Sequence, residues 1–372
     1  MTFLNHGAFG ATPRIVLAAQ EALRVHMERQ PLRFFVDEAP QAIRAAAAAV
    51  ASYVGARPED TALCENTTSG VNAVLRSFPF EPGDRVLSSN HLYPAVEKTL
   101  EYVCAGRATV DLADVPFPVR SPDQIVDAFA AAITPRTRLL VVDHVTSMTA
   151  LVFPVRALVE LATSHGLPIL VDGAHAPGML PLDLSTLGAT WYVGNCHKWL
   201  CAPKGVALLW ANPAHELGHA LHAPVTSHLY SQPYPAEFDW VGTRDLSGWL
   251  SLPATLAFRR WLGDEAVRAW NHDLAVRGAA TVADAIGGRV LAPEAMLGSM
   301  AAVLVPTRVT VEQSDADAVR KRLWERHRVE VALPVLAGRL LVRVSGQVYN
   351  DPDAADRLAR CLPDALAALR AA

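Results

Sequence analysis

Six short apolar runs mark the first two thirds of the chain, TALCEN, RVLSSN, TRLLVVDHV, LPILVDGAH, TWYVGN and GVALLW, and amphipathic stretches at 68–78, 93–105, 121–133 and 155–165 lie among them. The runs have strand length and the stretches follow the 3.6-residue helical period, so strand and helix alternate. A strand that returns through a helix pairs in parallel, and a parallel sheet is buried on both faces. The expected class is therefore α/β with a mostly parallel central sheet. Ligands of such sheets bind at the carboxyl ends of the strands. Asn66, Asp143, His144, Asp172, His175 and Asn195 all fall at those ends, which gathers the polar chemistry on one rim.

Residues 211–240 hold several prolines and histidines without clear periodicity, and a loop of that length is usually functional or mobile. After it, LSGWLSLPATLAFRRWLG opens a helical stretch. The carboxyl end is β-rich (MAAVLVP, VEVAL, RLLVRVS), with helices predicted at 315–327 and 353–370. This pattern predicts a second, smaller α+β domain. The expected division gives residues 15–245 to the large domain and residues 1–14 with 246–372 to the small one. A chain of 372 residues suits two domains. No apolar run reaches membrane-spanning length, and MTFLNHGAFGATP has neither a basic n-region nor an apolar h-region, so a cytoplasmic location is expected. A net charge of -4 offers no basic footprint for nucleic acid and points to a small-molecule partner. The five cysteines, at 64, 104, 196, 201 and 361, form no CxxC pair and are expected as reduced thiols.

Lysine is scarce here: there are four, against 29 arginines. One of them, Lys198 in NCHKWLCAPKG, stands 26 residues after Asp172 of ILVDGAHAPG. An amine that must condense with a carbonyl cannot be replaced by a guanidinium, so a chain that avoids lysine still keeps one for that chemistry. Taken alone Lys198 is equally a surface lysine, and the residues around it decide the matter. Pyridoxal 5'-phosphate needs a carboxylate beside its pyridine nitrogen, donors for its phosphate and a ring partner, while the cofactor itself supplies the electron sink. Asp172 suits the nitrogen, although a strand-end carboxylate also caps loops. His175 suits the phenolic oxygen, or is a satisfied core histidine. CENTTSGVNAVLRS puts Asn66, Thr67, Thr68 and Ser69 at a helix start, where phosphate binds, and where an ordinary N-cap also belongs. Asn195 and His197 flank the lysine as further phosphate donors. His91 and Tyr93 are both candidates to stack on the ring. Arg343, in the otherwise apolar strand RLLVRVS, suits a substrate carboxylate better than a structural ion pair.

With these residues in place the chain resembles the class V aminotransferase family of fold type I pyridoxal-phosphate enzymes, in its isopenicillin N epimerase-like branch. VDGAHAPG, GNCHKWLCAPKG, WVGTRD and RVSGQVYN carry the resemblance, from LNHGAFGATP at the start to RVSGQVYND near the end. The resemblance implies the fold type I transferase fold and Lys198 as the Schiff-base residue. It places Asp172 at the pyridine nitrogen, His175 at the phenolic oxygen and His91 against the ring. Thr67, Thr68, Asn195 and His197 fall to the phosphate, and Arg343, Asn5 and His6 to the substrate. Thr243 of VGTRD is expected to reach the phosphate of a neighbouring subunit, which implies a homodimer. The reaction implied is epimerase-like chemistry at the α-carbon of an amino acid, with transamination or C–S lysis as alternatives at the same site. Related cysteine desulfurases have a serine where Asn195 stands and a nucleophilic cysteine before the substrate arginine. Residues 329–342 contain no cysteine, which argues against that chemistry. Cys196 and Cys201 read as small packing residues.

One motif competes. His215, Glu216 and His219 have HExxH spacing, which on a helix presents two imidazoles to zinc and a glutamate as general base, as in a metallopeptidase. Pro213 and Pro224 bound the segment closely and Gly218 weakens any helix there. A solvated histidine-rich loop is the preferred reading, and no metal is expected.

Overall fold

The computed structural model describes residues 1–370. Seven strands form the central sheet in the order 61–64, 207–211, 191–195, 169–172, 137–143, 84–89, 108–113. Neighbours pair in parallel from 191–195 through 108–113, while 207–211 runs antiparallel to both of its neighbours. Six strands therefore end on the same rim. The predicted helices form as Thr67–Ser77, Pro94–Cys104, Pro122–Ala132 and Val155–Ser164. Burial follows the two-residue period of a strand. In 137–143, Leu139 and Val141 pack on one face with Val71, Val74 and Leu100, whereas Leu140 and Val142 pack on the other with Ile43, Phe129 and Leu158.

Two features escape the sequence reading. Ala108–Ala113 is a strand at the sheet edge, half-exposed along its length, with Asp111 paired to Arg85 of the adjacent strand. It lacks the continuous apolar run that marks the inner strands. At the other end of the sheet, long helices Arg14–Arg29 and Ala39–Tyr53 precede the first sheet strand, and the second lends Ile43 and Val50 to the core.

The carboxyl part forms a four-stranded antiparallel sheet in the order 335–336, 339–345, 300–304, 289–290. Helices Asp264–Ile286, Gln313–His327 and Asp353–Arg370 cover it through Val282, Val319 and Leu358. Only Val329–Glu330 of VEVAL is a strand before 335–336, and it pairs in parallel with Thr2–Phe3. Leu246, Trp249, Leu252 and Leu256, just beyond the expected division, pack with the central sheet. Met300, Ala302 and Leu341 of the smaller sheet meet Val145, Met179 and Trp199 from the rim loops, so the smaller sheet closes over the strand ends. Among the described residues no helix is long and apolar enough to cross a membrane.

Candidate active site

The strand Ile169–Asp172 is buried throughout, and its terminal carboxylate lies beside Asp143, its register partner on the neighbouring strand. Asp172 Oδ1 accepts the Ala174 amide at 2.9 Å. The turn needs Gly173, because a Cβ there would lie 2.3 Å from the Tyr192 ring. Burial pushes both carboxyls up, Asp143 further because Asp172 repels it, and the Lys198 ammonium pulls both down. Asp143 Oδ2 is buried without a hydrogen-bond partner. Lys198 comes from the loop joining antiparallel strands 191–195 and 207–211, and its Nζ lies 3.1 Å from His175 Nε2. Burial first, then Arg343, lowers the amine to about 8, against the opposing pull of Asp172 and Asp143. His175, wholly buried, is held well below the usual histidine range.

At the other side of the same cavity, Asn66 caps the helix Thr67–Ser77 by accepting the Ser69 amide at 2.9 Å. Asn195 Oδ1 accepts the Thr67 amide at 2.9 Å, which ties this helix start to the lysine strand. Gly70 permits the approach, since a Cβ there would sit 2.4 Å from Val193 Cγ1. The Thr67 hydroxyl is buried with no partner. His197 donates from Nδ1 to the Val206 carbonyl at 3.1 Å, and burial lowers it to about 4. Its neutral form thus offers a lone pair at Nε2, and a neighbouring anion would draw it toward the cationic form.

The cavity these groups enclose measures about 360 Å³ and is lined by Thr67, Thr68, Asp172, His175, Asn195, His197 and Lys198, with Asp143, Tyr93 and Ser147. Arg343, Asn5, His6, His91 and Thr243 are absent from that lining. Arg343 lies directly behind it: the guanidinium donates to the Ser147 carbonyl and, at 3.4 Å, to Asn5 Oδ1, while its Nε is unpartnered. His6 braces the lysine loop, with Nε2 3.0 Å from the Lys198 carbonyl and Nδ1 2.8 Å from the Tyr349 hydroxyl. His91 is buried among Phe117 and Phe153 and bonded through Nδ1 to Thr149 at 2.8 Å, whereas Tyr93 reaches the cavity. Thr243 is exposed next to Arg244, which pairs with Glu65 of the cavity wall.

The histidine-rich stretch 215–219 folds as successive turns rather than a helix. His215 accepts the Leu217 amide and His219 turns to Asp60 at 3.2 Å, so the two imidazoles do not share a helical face. Among the described residues no group of three potential metal ligands gathers. All five cysteines are free and buried.

The family model for class V aminotransferases matches residues 4–357. The chain belongs to that family. Among the relatives of this class V enzyme, an isopenicillin N epimerase of Streptomyces clavuligerus is 34% identical over 98% of this chain and 94% of its own. A probable chloroplastic L-cysteine desulfhydrase of Arabidopsis thaliana is 33% identical over 95% of this chain and 81% of its own. Of the solved structures, a cystine C-S lyase in complex with cysteine persulfide superposes with a TM-score of 0.78, covering 98% of this chain and 97% of its own. At 21% identity that match shows the shared fold type I architecture.

The class V enzyme uses pyridoxal 5'-phosphate. The residues present fit that cofactor. Two buried carboxyls with raised pKa and one orphaned oxygen suit a protonated pyridine nitrogen. An orphaned threonine hydroxyl at a helix amino terminus suits a phosphate.

Two residues that brace this class V site from behind its lining, as well as Ser147 on the lining, were not read from the sequence. Arg259, 1% exposed, donates to Asp264 Oδ1 at 2.7 Å, to the Gly178 carbonyl at 3.0 Å and to the Trp199 carbonyl at 3.5 Å. It joins the loop after His175 to the loop after Lys198. Trp199, fully buried, donates its indole N–H to His175 Nδ1 at 3.2 Å. The one sequence signal for Arg259 was a cation inside an apolar helical pattern, in AFRRWLG.

Proposed function

We propose that this enzyme removes the α-proton of an amino-acid substrate with Lys198 as the base, with an outcome of the isopenicillin N epimerase type. The observation that carries the reading is the Lys198 amine, buried, lowered to about 8 and set 3.1 Å from His175 on the rim that bears Asp172. A lysine so lowered is a free base in a useful fraction at neutral pH, which general-base work requires. The cofactor, when bound, supplies an electron sink for the pair left at the α-carbon. In this reading Lys198 holds the cofactor's aldehyde carbon, Asp172 its ring nitrogen, and Thr67, Thr68, Asn195 and His197 its phosphate. Arg343 clamps the substrate carboxylate with Asn5 beside it, His6 serves the substrate side by bracing the lysine loop, and the unpartnered Arg343 Nε is consistent with the clamp. Of the two ring-stacking candidates, Tyr93, on the cavity wall, takes the ring face rather than His91, which lies outside the lining, and Tyr93 is also a candidate acid for the second face of the α-carbon.

A second reading is C–S lysis of a compact amino acid such as cysteine. The cavity volume favours it, since about 360 Å³ lies near the lower bound for ligand pockets and the cofactor occupies part of it. Transamination would use the same base. We further propose a cytoplasmic homodimer in which Thr243 serves the neighbouring site. The two-unit division at residue 245 is also a proposal, which limited proteolysis would test.

Incubation of the holoenzyme with L-amino acids in deuterated water separates these outcomes. Deuterium should enter the α-position of the recovered amino acid, and the product identifies the path: inverted amino acid for epimerisation, keto acid for transamination, keto acid with sulfide and ammonia for lysis. Turnover without α-exchange or α-proton loss would rule out Lys198 as the α-base.

A further inference from the structure

Trp199 follows Lys198 in the chain and turns its indole back on His175, donating to Nδ1 at 3.2 Å. Across the same imidazole, Nε2 lies 3.1 Å from Lys198 Nζ. An indole nitrogen only donates, so His175 Nδ1 must carry a lone pair. Burial, with Lys198 and Arg343 close by, keeps this imidazole neutral. A neutral ring has one N–H, and here it can sit only on Nε2, aimed at Lys198.

We propose that Trp199 is a positioning residue that fixes the tautomer of His175 and so makes the imidazole a hydrogen-bond donor to the Lys198 amine. The free-base amine has a lone pair to accept that bond and the ammonium has none, so the arrangement favours the reactive form. Without the indole N–H, the other tautomer becomes accessible. Its Nε2 is an acceptor, which welcomes an ammonium and pulls Lys198 toward its charged state.

The surroundings hold Trp199 in place. Arg259 grips the Trp199 carbonyl and the Gly178 carbonyl together. Gly178, at φ +85°, lets the two backbones touch, since a Cβ there would lie 2.5 Å from the Trp199 carbonyl oxygen. Asp264 neutralises the buried guanidinium and also accepts the Tyr53 hydroxyl at 2.9 Å. The indole direction is thus fixed by a buried ion pair and two carbonyls.

This inference rests on Lys198 as the reactive amine, and its test keeps the two claims apart. Trp199 is replaced by benzothienylalanine, which preserves the bicyclic ring and lacks the N–H, and in a second variant by Trp199→Phe. The tautomer of His175 is read in the apoprotein by nitrogen NMR with labelled histidine, assigned with His175→Gln. The native protein should show the Nε2–H form, and both variants should populate the Nδ1–H form. Condensation of the apoprotein amine with pyridoxal, followed against pH, should shift its midpoint upward by about 0.5–1 unit, the size that one neutral hydrogen bond supports. An unchanged tautomer overturns the role of Trp199. A changed tautomer with an unmoved midpoint overturns the donor link to Lys198. Condensation that persists unaltered in Lys198→Ala defeats the reactive-lysine reading while leaving the tautomer result standing.

Discussion

The two ends of the cavity are built in opposite ways. At the Lys198 end, Asp143, Asp172, His175, Asn195 and His197 all project from the rim of one sheet, and burial moves the protonation of the two carboxyls and the two imidazoles. At the Arg343 end, three stretches distant in sequence meet: Asn5, Ser147 and Arg343, the last borne on the smaller sheet. One end is a device for shifting pKa, the other a device for matching shape and charge. Damage to the first should act on chemistry, and damage to the second on recognition.

The largest expected effect is at the first end. Lys198→Ala should lower kcat by at least about 10³-fold, and Lys198→Arg should not restore it, because guanidinium does not shed its proton. Retained turnover in either variant would erase the distinction. Arg343→Ala should reduce kcat/KM by about 10- to 100-fold, chiefly through KM, with cofactor affinity unchanged, as loss of one charge-assisted pair predicts. A fall confined to kcat would move Arg343 to the chemical end.

A third expectation concerns pH. The folded Lys198 amine sits at about 8, below the ordinary lysine value of 10.5 that the unfolded chain restores. Between those values the unfolded state binds the extra proton, so apoprotein stability should rise with pH across that window, by at most about 1.4 kcal/mol per unit. Urea melts of the native apoprotein and Lys198→Met should differ in that slope, and equal slopes would refute the lowered amine. The smallest effect is expected for Thr67→Val. Cofactor binding should weaken by about 3- to 10-fold and leave substrate KM unchanged once the cofactor saturates, as measured by apoprotein titration.

These ends also differ in how far the amino-acid order revealed them. Asp172 and Lys198 lie at strand boundaries that apolar runs announce, and Asn66 announces a helix start, so the sheet end was legible from spacing. Residue type marked Arg343, but its partners Asn5 and Ser147 lie 338 and 196 residues away and share no local pattern with it. The partners of Arg259 and Trp199 were hidden for the same reason. Arg259 works largely through backbone carbonyls, which every residue possesses, and the bond from Trp199 to His175 spans 24 positions. The edge strand at 108–113 was missed because Thr109 and Asp111 interrupt its apolar run on an exposed sheet edge. The HExxH string shows the converse hazard, where suitable residue types at suitable spacing fold as turns.

The parallel ladder between Thr2–Phe3 and Val329–Glu330 has a consequence for how the protein is made. Domains generally fold from the amino terminus while the ribosome is still adding residues. All seven strands of the central sheet have been synthesised by residue 211. The first residues of the chain, by contrast, find their strand partner only after position 330 emerges, and Arg343 follows later still. A nascent chain therefore completes the strands that flank its lysine well before the strand that bears its arginine, and the two ends of the cavity come together only when nearly the whole chain has been made.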